Sequence, residues 1–74
     1  MPKPLSLEVG DIVEVTDVDA YDTAHEIQKG FIGIVLGLNS GMSRGGWRAY
    51  RVSFLGHEYG ALYSTQLKWV GRID

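Results

Sequence analysis

Apolar and polar residues alternate with a period of two over much of this chain, the signature of strands that bury one face. In Ile12-Val13-Glu14-Val15-Thr16, Val13 and Val15 point inward while Glu14 and Thr16 face water. Residues 31–38 set Ile32, Ile34 and Leu36 against Gly33, Val35 and Gly37. Glycines on one face permit strong curvature or the close approach of another backbone. Residues 47–55 place Tyr50, Val52 and Phe54 on one side and Arg51 and Ser53 on the other. Tyr59-Gly60-Ala61-Leu62-Tyr63 and Lys68-Trp69-Val70 complete a set of five short strands.

The connections carry their own signals. Residues 1–8 form a lead-in whose two prolines resist helix. Residues 17–29 form a long polar loop; a helical turn over 23–28 is expected there, because Thr23 can cap it and Glu26 stands three residues on. Residues 39–46, Asn-Ser-Gly-Met-Ser-Arg-Gly-Gly, form a flexible hairpin loop, and Gly56-His57-Glu58 a tight turn. Residues 64–67 fit a single 3₁₀ turn capped by Ser64. The pattern predicts an all-β fold, with the domain over residues 9–74.

These residues also carry a resemblance. Val9-Gly10-Asp11-x-Val13-x-Val15, Gly30-x-x-Gly33-x-Val35, Tyr50-x-Val52-x-Phe54, Tyr59 and Leu67-x-x-Val70 together resemble the SH3-like barrels of many small bacterial and phage proteins. The layout is similar to that of photosystem I subunit IV and of the variable chain of ferredoxin–thioredoxin reductase. The match covers residues 9–72. It implies a small five-stranded SH3-like barrel with a long first loop and a 3₁₀ turn before the last strand. It implies little about activity, because this barrel hosts many unrelated roles.

Size and composition narrow the function classes. Seventy-four residues make one domain with a thin core. With no cysteine there is no disulfide and no thiolate metal site, which fits a reducing cytoplasm. Met1-Pro2-Lys3-Pro4 begins no apolar run, so no secretory signal is expected. The longest apolar stretch, residues 31–38, falls far short of the ~20 residues of a membrane helix. No P-loop, dinucleotide fingerprint, Gly-x-Ser-x-Gly elbow or cysteine nucleophile is present, so no catalytic residues, cofactor or enzyme activity are expected. His25 with Asp22 and Glu26 lacks the spacing of a metal motif, and no metal is expected.

Charge gives the sharpest signal. Seven of the nine acids lie in the first 26 positions. Residues 1–30 carry seven acids against two lysines, net −5, and residues 31–74 carry five bases against two acids, net +3. Asp17, Asp19, Asp22 and Glu26 crowd the first loop, where carboxylates can steer a basic partner. In eukaryotic SH3 domains the corresponding loop is often acidic and flanks an aromatic groove. Tyr21, Trp47, Tyr59 and Tyr63 are placed to line a similar groove here. The expected role is a non-enzymatic protein-binding module that docks on a basic protein surface through Asp17, Asp19, Tyr21, Asp22, Glu26, Trp47 and Tyr59. Such a module would serve as an accessory subunit or a phage-encoded modulator, as a monomer or small homo-oligomer without membrane attachment.

Two other readings stand beside it. Arg44, Arg48, Arg51 and Lys68, with Trp47 and Tyr50 nearby, could offer a face to single-stranded nucleic acid. The net charge of −2 and the acidic half disfavour it. The other is a structural subunit of a larger, photosynthetic-type complex. For unpaired sheet edges, strand 31–38 and the third strand are the candidates.

Overall fold

Strand formation follows the alternation closely. The computed structural model describes residues 7–43 and 47–73. Five strands form: β1 (Asp11–Val15), β2 (Ile32–Leu38), β3 (Ala49–Phe54), β4 (His57–Tyr63) and β5 (Leu67–Arg72). One short helix, α1 (Ala20–Ala24), interrupts the long first loop, and a 3₁₀ turn (Ser64–Gln66) leads into β5. All neighbours are antiparallel, in the order β4-β3-β2-β1-β5. The chain is therefore nearly all-β, as the pattern predicts. Among the described residues no ladder joins β4 to β5, so these two strands end the sheet. The edge strands are thus β4 and β5; residues 31–38 and the third strand, the expected edges, lie inside the sheet. β4 blunts its edge with one extra residue opposite the Tyr50–Val52 step of β3.

The inner face carries the core. Val13, Val15, Val35, Val52 and Leu62 are fully buried, with Tyr50, Phe54, Tyr59 and Ile27 packed among them. The radius of gyration is 11.1 Å, close to the ~11 Å of a well-packed chain of this length. Gly33 lies in this face, and a Cβ there would stand 2.6 Å from Val52 Cγ1 and 2.8 Å from the Phe54 ring. The glycine thus serves the close approach of side chains from β3, where strong curvature or the approach of another backbone was expected.

Two turns differ from expectation by about one step, each for a visible reason. The β3–β4 turn is Leu55-Gly56, one residue earlier than expected, with Phe54 paired to His57. Both turn residues have positive φ, +52° and +84°, the primed geometry that matches strand twist. The 3₁₀ turn has Tyr63 as its N-cap where Ser64 was expected. The Gln66 side chain reaches back to accept from Tyr63 N–H at 2.9 Å, replacing a serine cap.

One buried charge sits at the sheet end. Asp11 is fully buried and accepts from Arg72 Nη1 at 3.0 Å and from Glu8 N–H at 2.8 Å. It joins the start of β1 to the end of β5.

Candidate functional site

The first loop is pinned from inside. Asp19 caps α1: its Oδ1 accepts from Asp22 N–H at 2.9 Å, and Asp22 Oδ2 accepts from Asp19 N–H at 3.1 Å. This reciprocal Asp-x-x-Asp box replaces the expected cap at Thr23, whose hydroxyl instead donates to Asp19 C=O. The cap therefore lies four residues earlier, at Asp19. Asp22 is fully buried, and its other contacts explain why the earlier start wins. Tyr59 OH donates to Asp22 Oδ1 at 2.5 Å, and Gln66 Nε2 donates to Oδ2 at 2.6 Å. Gln66 Nε2 also donates to Asp17 C=O at 3.2 Å. A buried carboxylate needs such donors, and charge-assisted bonds are the strong ones.

This geometry divides the expected partner-binding residues. Asp22 is not a surface acid: it is the anchor that ties the loop to β4 and the 3₁₀ turn. Tyr59 is also buried, so its ring backs the site and its hydroxyl faces inward to Asp22. Burial, and then the hydrogen bond and charge of Asp22, hold the Tyr59 phenol far above its ordinary pKa of 10.0. Asp17, Asp19, Tyr21 and Glu26 remain exposed. Glu26 has φ +65°, an uncommon backbone for a residue other than glycine.

The aromatic residues form two groups. Tyr21 stacks on His25, one helical turn away, with ring centroids 4.4 Å apart, and the pair leans on Tyr59 at 6.3 and 5.6 Å. Tyr21 nevertheless keeps 56% of its surface exposed. Trp47, equally exposed, meets Tyr63 edge-on at 6.2 Å. Gln66 stands between the groups, with Nε2 on Asp22 and Oε1 on the Tyr63 backbone. The aromatic residues expected to line one groove thus make their ring contacts in two groups, Tyr21 with Tyr59 and Trp47 with Tyr63. His25 and Gln66 were not expected here. The i, i+4 spacing of Tyr21 and His25 was a usable signal for the first. The cap it makes on Tyr63, three residues back, is the local signal for Gln66; its other partners, Asp22 and Asp17, lie 44 and 49 residues away.

Among the described residues, basic side chains meet acids at separate places on the sheet. Arg51 pairs with Glu58 at 3.3 Å, and Lys68 stands across the ladder from Glu14. Arg72 bridges Glu8 and Asp11. Arg48 is exposed beside Trp47, and Arg44 lies outside the described residues. Among the described residues no three histidines or carboxylates group as metal ligands, and both Asp22 oxygens already accept protein donors. No helix among them is long and apolar enough to cross a membrane.

No family model, curated protein or solved structure matches the chain.

Proposed function

We propose that this chain is a non-enzymatic protein-binding module whose first loop docks on a basic surface of a partner protein. Guanidinium or ammonium groups of the partner lie over Tyr21 and among Asp17, Asp19 and Glu26, and Trp47 supplies a second anchor. The observation that carries this reading is Tyr21: a large ring left 56% exposed while a fully buried carboxylate fixes the loop beneath it. A surface held in place before binding loses little conformational entropy on binding. Exposed cation–π contacts contribute about 0.5–1 kcal/mol each, and acids around the ring add steering. The resemblance to SH3-like barrels fits a cytoplasmic accessory subunit or a phage-encoded modulator.

A binding assay with an arginine-rich peptide tests it. The variant to compare is Asp17→Lys with Glu26→Lys, which leaves the Asp19–Asp22 box and the Asp22 anchor intact. Reversing two exposed charges is expected to weaken binding about tenfold at low salt and to flatten its salt dependence. Equal affinity and equal salt dependence for the variant and the wild type would refute the reading.

A further inference from the structure

The outer face of the sheet, away from the acidic loop, holds a second surface. Ile12 on β1 pairs with Ile34 on β2, and Ile34 with Ser53 on β3. With Ile32, Gly33, Leu55 and Gly56 these residues line an open cleft of ≈ 360 Å³ in which, among the described residues, Ser53 supplies the one polar side chain. Ile32 is half exposed, and Leu55 at the hairpin tip is completely exposed.

Leu55 is out of place by two separate criteria. It is a large apolar side chain left wholly in water, and it adopts φ +52°. The first position of a primed two-residue turn favours asparagine, aspartate or glycine. Asn-Gly would suit the turn, whereas this chain carries Leu-Gly. Residues held against local preference cluster at working surfaces.

The charges around the cleft indicate what covers it. Glu14 projects on the same face of β1, directly across from Ile32 on one side and from Lys68 on the other. The charges beside the cleft are therefore of both signs, with Glu14 and Lys68 sharing one rung, whereas the first loop sets four acids against Lys29. A partner selected by charge would call for a rim of one sign. A two-fold interface requires a surface complementary to itself, with apolar projection, apolar recess and both charges on one patch. Leu55 provides the projection, Ile12, Ile32 and Ile34 the recess, and Glu14 and Lys68 the charges. Domains this small often gain stability by association, because the core alone is thin.

We propose that this outer face is a homodimer interface, in which Leu55 of each copy seats in the isoleucine-lined cleft of the other. The proposal is independent of the loop's partner, since Tyr21 and Trp47 take no part in it.

The test is the solution mass of the full chain over a range of concentrations, by size-exclusion chromatography with light scattering. The wild type is expected to reach dimer mass at high concentration and to dissociate on dilution. Leu55→Asn removes the projection and installs the preferred turn residue. It should raise the dimer dissociation constant by about tenfold or more while the diluted monomer melts no lower than wild type. Ile32→Thr keeps a β-branched residue on the strand and should also weaken the dimer. A wild type that stays monomeric at high concentration overturns the proposal, as does a Leu55→Asn variant that dimerises as well as wild type.

Discussion

Replacing Tyr59 by phenylalanine removes one oxygen atom and tests whether the first loop is held from within. The phenol donates to Asp22 Oδ1 at 2.5 Å, and both residues are buried. Without it, Asp22 keeps donors on Oδ2, Gln66 Nε2 and the Asp19 amide. Hydrogen bonds to charged groups contribute about 1.5–3 kcal/mol, and the oxygen left behind is buried without that donor. A loss near ~2 kcal/mol lowers the melting temperature of a domain this size by roughly 8–16 °C. The pH dependence gives a second, independent reading. The folded phenol titrates far above the unfolded value of 10.0, so its stabilising contribution is complete below pH 10.0 and is lost as pH rises beyond it. Wild type should therefore weaken progressively at alkaline pH, and Tyr59→Phe should lack that part of the decline. Urea denaturation at neutral and alkaline pH measures both effects. A double-mutant cycle with Asp22→Asn should show coupling of about 0.5–3 kcal/mol. A Tyr59→Phe protein within about 0.5 kcal/mol of wild type, with the same alkaline decline, would refute the anchor.

Other substitutions probe separate parts of the structure. Gly33→Ala forces a methyl group into contact with Val52 and Phe54 at 2.6–2.8 Å; it should cost about 1–3 kcal/mol in urea denaturation, and a neutral effect would contradict the packing described. Asp19→Ala removes the α1 cap and should destabilise by about 1 kcal/mol. Asp19→Asn keeps a capping oxygen and removes the charge, so it should leave the melting temperature nearly unchanged while weakening binding of an arginine-rich peptide.

Local pattern made the strands legible and left the site half hidden. Val13, Val15, Tyr50, Val52 and Phe54 face the core as their alternation predicts, because one buried sheet face imposes a period of two. The acidic loop was visible as charge, but its division was not. Asp17, Asp19 and Asp22 look alike in sequence, yet Asp22 alone is buried, where Tyr59 and Gln66, 37 and 44 residues away, supply donors that no local pattern shows. The same long-range bonds moved the helical turn from Thr23 back to Asp19: local capping chemistry allowed both, and the Asp22 anchor chose. Leu55 was missed because the turn was placed one residue late, over Gly56-His57-Glu58. With both φ values positive at Leu55 and Gly56, the exposed leucine becomes a feature that needs an explanation.

The most direct test of the docking surface is backbone amide shift mapping of the full chain during titration with a short arginine-rich peptide. The account predicts saturable shifts centred on Tyr21, His25 and Glu26, extending to Trp47, and weakening as salt is raised. Shifts confined to the outer face around Ile12, Ile34 and Leu55, or no saturable shifts at low salt, would contradict it.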